Sequence, residues 1–176
     1  QINDQKSNID LMNKQTTHTN SFIKCFWINN EDNIMDLTQL KLLRQSIGVN
    51  VKGNIDNCPP PIDSIQSNSL PITFKSVFDH LELSIPSLAQ RQCWPAILNG
   101  ANVLCIATTG SGKTLAYAMP MIPHINSRMK TSKCKIFDIA APFGLVIVPT
   151  RELAIQVNSV MKSLKKFSKI NSIAIY

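Results

Sequence analysis

Val103-Leu-Cys-Ile-Ala-Thr-Thr-Gly-Ser-Gly-Lys-Thr114 is the stretch on which the reading of this chain turns. It opens with a short apolar run, which predicts a buried strand. The chain then bends through Thr108-Thr-Gly-Ser-Gly112. Leu115-Ala-Tyr-Ala-Met119 follows with helix-forming residues. An anion such as phosphate needs several N–H donors converging on one point. A loop between strand and helix supplies them, with Gly110 and Gly112 permitting the dihedrals and the close approach. The unpaired N–H groups and positive dipole end of the following helix add to the same field.

The run Ala107-Thr-Thr-Gly-Ser-Gly-Lys-Thr114 therefore reads as the phosphate loop of a nucleotide triphosphatase, with Ala107 where the strict pattern has its first glycine. In that reading Ala107, Thr108, Thr109, Gly110, Ser111 and Gly112 surround the phosphates of ATP. Lys113 reaches the β- and γ-phosphates, and the Thr114 hydroxyl binds Mg²⁺, which makes these two the candidate catalytic residues. The plain alternative is a glycine turn with an incidental lysine.

Upstream, a helix is expected from about Ser87 to Leu98, opening just after Pro86 with Ser87 as its cap and stopping at Asn99-Gly100. Trp94 and Ile97 are its core candidates. Before it, Phe74, Val77, Phe78 and Leu81 fall at i, i+3, i+4 and i+7, which predicts a helix over 72–81. Cys58-Pro-Pro-Pro61 is a stiff, extended linker. Asp36 or Thr38 can cap a helix running to Ser46, with Leu37, Leu40, Leu42 and Leu43 available for burial and Gly48 as its stop. Phe22, Phe26 and Trp27 mark 21–33 as an arm that packs on something. Residues 1–20 are rich in Asn, Gln, Thr and Ser and read as a disordered polar tail.

Downstream, Pro120 or Pro123 should disturb the helix after Lys113, leaving a long basic connection over 126–142. Gly144-Leu-Val-Ile-Val148 is a second buried strand, stopped by Pro149-Thr150. From Arg151 to about Lys169 an amphipathic helix is expected, with Leu153, Val157, Val160, Met161, Leu164 and Phe167 on one stripe. Ser172-Ile-Ala-Ile-Tyr176 begins a third strand. Strand, helix, strand, helix, strand is the pattern of an α/β fold with a parallel sheet flanked by helices and right-handed crossovers. Ligands of such sheets bind at the carboxyl ends of the strands, which puts the phosphate loop and the turn at Pro149 on one edge.

Of 176 residues, 18 are basic and 11 acidic, a net charge of +7. Residues 1–73 carry 6 basic and 7 acidic side chains, whereas 74–176 carry 12 and 4, so the excess lies with the phosphate loop. A polyanion such as nucleic acid would suit that half, and so would a solvated basic surface. Cys25, Cys58, Cys93, Cys105 and Cys134 form no Cys-x-x-Cys pair, which suits reduced thiols and neither a disulfide framework nor a zinc site. His18, His80 and His124 lack partners at ligand spacing. No apolar run approaches membrane-spanning length, so no membrane partner is expected. The first residue is Gln, which suggests a fragment.

Three motifs resemble those of DEAD-box ATP-dependent RNA helicases, in the front part of their first RecA-like lobe. They are Ala107-Thr-Thr-Gly-Ser-Gly-Lys-Thr114, Pro149-Thr-Arg-Glu-Leu-Ala154, and Pro86-Ser-Leu-Ala-Gln90 followed by Trp94-Pro95. The last is similar to the family's glutamine motif. Phe26-Trp27, Arg44, Val51-Lys-Gly53 and Pro59-Pro-Pro-Ile62 resemble the flank that precedes the core in many spliceosomal and ribosome-assembly members. The resemblance covers roughly residues 21–176. It leaves the polar tail over 1–20 outside, and implies a flank and proline linker over 21–71 and an incomplete RecA-like ATP-binding lobe over 72–176.

The resemblance also implies roles. Gln90 would read adenine, because an amide can donate to N7 and accept from the exocyclic amine. The family's adenine-stacking aromatic falls on Ile65, 25 positions earlier. Losing a stack worth about 0.5–1.5 kcal/mol implies up to about tenfold weaker adenine binding. Pro149, Thr150 and Arg151 would hold the RNA backbone without reading sequence, although Arg151 and Glu152 also suit a local pair at a helix start. Partners would be RNA, ATP and ribonucleoprotein assembly factors, in the nucleus or nucleolus, otherwise in the cytoplasm. No Asp-Glu-Ala-Asp motif occurs in these residues, so hydrolysis and RNA unwinding belong to a fuller protein and the piece itself is expected to be inactive. Two other readings are a non-catalytic truncated module for RNA or nucleotide, and another P-loop helicase or translocase.

Overall fold

The computed structural model describes residues 24–27, 35–53, 58–131 and 141–176. The tail at 1–20, Phe22 and Cys134 lie outside them. Among the described residues six helices follow one another: α1 (Leu37–Ser46), α2 (Ile72–His80), α3 (Leu88–Leu98), α4 (Lys113–Thr131), α5 (Arg151–Ser163) and the single turn α6 (Lys165–Ser168). Gln39 reaches back to accept from the Asp36 N–H before α1. Only part of the leucine set on α1 is buried. Leu40 is inside, while Leu37 and Leu42 are more than half exposed, and the side chain that goes inside with Leu40 is Arg44.

α3 is the centre of the core. Trp94 is fully buried, with Phe74 and Phe78 of α2 edge-on to its ring at 5.0 and 5.5 Å. Its indole N–H donates to Leu115 O in the first turn of α4 (3.2 Å), so one residue ties three helices together. The aromatic arm docks on the end of α3, where Phe26 and Trp27 N–H groups share Leu98 O. His124 is structural, with its Nε2 3.0 Å from Ile97 O and its ring edge-on to Phe26.

Two expectations on helix extent are corrected. α4 runs through both Pro120 and Pro123 to Thr131, so neither proline ends it. The face carrying Ala118, Met119, Pro120 and Ile122 is buried, and that packing outweighs the lost backbone bonds. The helix after Pro149 breaks at Leu164, where the last turn closes as α6 on Lys169 in the left-handed region (φ +55°).

The expected parallel sheet is not formed among the described residues. The segments 101–108, 144–148 and 170–176 lie outside the helices, and no ladder pairs them. Each lies against a helix. Gly144 lies so close to Met121 and Ile125 of α4 that a Cβ there would stand 2.8 Å from Ile125 Cδ1. Ser172 Oγ donates to Asn158 Oδ1 of α5 at 2.8 Å, and the Tyr176 ring lies under the Arg151 guanidinium at 4.4 Å. The third segment thus runs along α5 from Asn158 towards Arg151, which comes two residues after the Pro149 that ends the second. Val146 and Val148 pack onto the main core and Cys105 onto a smaller cluster of Ala89, Cys93 and Ala116. The alternate side chains Leu104, Ile106, Leu145, Ile147, Ile173 and Ile175 face outward, each at least 73% exposed. Alternation is a local property, whereas a ladder needs two segments in register at about 4.8 Å. Here helices support each segment from one face, and the described residues leave the other face uncovered.

Candidate nucleotide and RNA site

The loop over 107–112 owes its shape to its glycines. Gly110 and Gly112 take φ +78° and +77°, values that other residues rarely adopt. Gly112 is constrained twice, because a Cβ there would meet Gln90 Nε2 at 2.5 Å and Ser87 Oγ at 3.0 Å. This crowding comes from the start of α3. Ser87 caps the helix, its Oγ accepting from Gln90 N (3.4 Å), while Gln90 Oε1 accepts from Ser87 N (2.9 Å). That reciprocal pair is a capping box. Both members also hold the loop: Ser87 Oγ donates to Ser111 O (2.7 Å) and Gln90 Nε2 to Gly112 O (3.2 Å). Gly112 O also accepts from Ala116 N in the first turn of α4 (3.1 Å).

Gln90 is 4% exposed, and one amide proton and one lone pair are engaged in these contacts. A side-chain amide has two of each, so one N–H and one acceptor position remain. Lys113 folds over its own loop, where its ammonium donates to Ala107 O (2.8 Å), to Thr108 O and to Ser111 Oγ (3.4 Å). A triphosphate in the loop would have to draw it off those oxygens. Thr114 lies one turn before Tyr117. Burial pushes the Tyr117 phenol up, against a hydrogen bond with the Thr114 side chain that pulls it down. The donor set suits a nucleotide with its metal: positive-φ glycines, a helix start, one ammonium and the Thr114 hydroxyl, with no carboxylate in the loop.

The structure brings Gln90 against Gly112 of the loop. Ile65 is 7% exposed and belongs to the main core with Trp27, Ile62 and Leu70. The position at which the resemblance places an adenine-stacking aromatic is thus a core position here. At the other candidate site, Thr150 caps α5, its Oγ1 accepting from Leu153 N (3.2 Å). The hydroxyl keeps its proton to donate, and Pro149, Thr150 and Arg151 are all exposed. Arg151 stacks on Tyr176, and no contact of it with Glu152 emerges. No hydrogen bond among the described residues joins this turn to the phosphate loop.

Sequence reading took Gln90 as a nucleotide contact and missed its part in the loop's support. The signal was present: Ser-x-x-Gln over 87–90 is the capping-box pattern. Among the described residues no group of three or more His, Cys, Asp or Glu could hold a metal, and no helix is long and apolar enough to cross a membrane.

Comparison with known proteins agrees with this geometry. Residues 87–176 match the DEAD/DEAH box helicase family. The pre-mRNA-processing ATP-dependent RNA helicase PRP5 of Candida albicans is 40% identical over 136 residues, covering 76% of this chain and 14% of that protein. The pre-mRNA-splicing ATP-dependent RNA helicase PRP28 of Meyerozyma guilliermondii is 30% identical over 173 residues, 95% of this chain and 29% of that one. This chain thus spans under a third of the length of either relative. Among solved structures, the yeast DEAD-box splicing factor Prp28 superposes with a TM-score of 0.59 at 26% identity, over 78% of this chain and 30% of that one. Prp28 of Chaetomium thermophilum, bound to ADP, shares the fold with a TM-score of 0.65 at 22% identity, over 85% and 35%. With its glutamine-anchored phosphate loop and a family match over 87–176, the chain belongs to the DEAD/DEAH box helicases.

Proposed function

We propose that this chain is the nucleotide-binding front part of an ATP-dependent RNA helicase. The observation that carries the reading is the junction of α3 with the phosphate loop, where Ser87 and Gln90 hold Ser111 O and Gly112 O. An anchored loop directs its N–H groups at one point before any phosphate arrives, which is the preorganisation that phosphoryl transfer depends on. The free N–H and acceptor of Gln90 meet the adenine edge. Lys113 exchanges its loop carbonyls for β- and γ-phosphate oxygens. The Thr114 hydroxyl holds Mg²⁺, which when bound neutralises the phosphate charge.

The exposed turn Pro149-Thr150-Arg151 takes the RNA backbone, with the Thr150 proton, the Arg151 guanidinium and the start of α5 directed at phosphate oxygens. The excess of basic residues over 74–176 supports that partner. Hydrolysis, strand separation and assembly with splicing or other ribonucleoprotein factors, in the nucleus or nucleolus, are proposed for the whole protein. The pre-mRNA roles in the names of the relatives support this.

The test is nucleotide binding by the intact chain, followed by fluorescence of a labelled ATP with Mg²⁺. Lys113→Ala is expected to abolish it, and undiminished binding would sink the reading. On the whole protein, stimulation of ATP hydrolysis by RNA and not by DNA is expected. Equal stimulation by DNA would favour another class of translocase.

A further inference from the structure

We infer that Arg44, in the flank ahead of the lobe, is a positioning residue of the nucleotide site. The inference rests on the nucleotide reading above. Arg44 is 4% exposed, and its guanidinium meets only neutral oxygens among the described residues. Nε donates to Gln92 Oε1 (3.0 Å), and Nη2 donates to Cys58 O (2.8 Å) and Pro59 O (3.2 Å). A buried cation is costly unless acceptors surround it, and the described acceptors around this one are three oxygens. Its place is therefore fixed by three groups from two other parts of the chain: the proline linker and α3.

Gln92 completes the clamp. It is 8% exposed, and its Nε2 donates to Pro59 O (3.1 Å) and contacts Cys58 Sγ (3.5 Å). Its neighbour Arg91 donates from Nε to Ile62 O (2.7 Å) and pairs with Asp63, while Arg91 O accepts from Ile62 N (3.0 Å). Three successive residues of α3 thus divide the work: Arg91 and Gln92 grip the linker, and Gln90 grips the phosphate loop. Successive helical residues are about 100° apart around the axis. Any turn of α3 that loosened Arg91 and Gln92 would therefore carry Gln90 away from Gly112 O. Arg44 prevents that turn, because its planar fork joins α1, the linker and Gln92 in one geometry. A lysine ammonium cannot reproduce that fork.

The test compares the affinities of labelled ATP and GTP for the intact chain, with a thermal melt of each variant. Arg44→Lys keeps the buried charge and loses the fork, and Arg44→Met removes both. Arg44→Lys is expected to stay folded and to bind ATP roughly tenfold more weakly, with GTP weakened less because it shares only the loosened phosphate loop, so that the preference for adenine narrows. Arg44→Met should lose at least as much. Equal weakening of both nucleotides in step with a lower melting temperature would make Arg44 a purely structural residue and overturn the inference. Unchanged affinities in Arg44→Lys would overturn it too, provided Lys113→Ala abolishes binding in the same assay. If Lys113→Ala binds ATP like wild type, the nucleotide site itself fails and leaves Arg44 nothing to position.

Discussion

Gly112 carries the tightest constraint of any single residue in the site. Its φ of +77° disfavours a side chain by about 1–2 kcal/mol. A Cβ would also push on Gln90 Nε2, 2.5 Å away. Gly112→Ala is expected to cost at least that energy in a urea unfolding series and to weaken ATP binding beyond the effect on folding. Wild-type affinity in the folded variant would show that the Gln90 contact is dispensable. Cys93 gives a pH prediction. Burial first, then the hydrogen bond and charge of Cys105 and the charge of Cys58, push its thiol from 9.0 up to about 12. The folded chain keeps this thiol neutral where the unfolded chain would ionise it. Its contribution to stability is whole below pH 9 and is lost between pH 9 and about 12. The melting temperature should fall across that window, and less steeply in Cys93→Ala. At pH 8, mass spectrometry after brief alkylation should find exposed Cys25 modified and buried Cys93 not.

At the scale of the element, α3 joins the flank, the aromatic core and the phosphate loop. Its first turn is held by Ser87, which both caps the helix and donates to Ser111 O. Ser87→Ala should therefore cost more than the ~1 kcal/mol of an ordinary cap. Ser87→Thr, which keeps the hydroxyl, should stay near wild type. Chemical denaturation of the three proteins checks this, and equal stability of all three would show that the loop contact adds nothing. α4 makes the complementary point. Two prolines that would stop an isolated helix are carried through because the face around them is buried.

At the scale of the molecule, three non-helical segments lie on their helices with an apolar row facing outward. Rows of this kind pair with other chains when left uncovered. Ile147→Lys replaces a side chain that is 86% exposed, so stability should change by no more than about 0.5 kcal/mol. Concentration-dependent association, measured by light scattering, should fall. Unchanged association would show that this row is not the adhesive surface.

The sequence by itself determined the order of the helices, the glycine turn before α4 and the buried aromatic set, because periodicity, glycine positions and capping patterns act over a few residues. Phe74, Val77, Phe78 and Trp94 are where their spacing predicted. The motifs holding Gln90 and Ala107–Thr114 were legible because each is a contiguous run. Only the tertiary structure decided what depends on partners distant in the chain. It buried Ile65 in the core, continued α4 past its prolines and turned Arg44 inward while two leucines of α1 stayed out. It also left the three non-helical segments without a ladder. Burial and pairing are settled by which surfaces meet, and neither Arg44 nor Gln92, 48 positions apart, carries a local signal that they will.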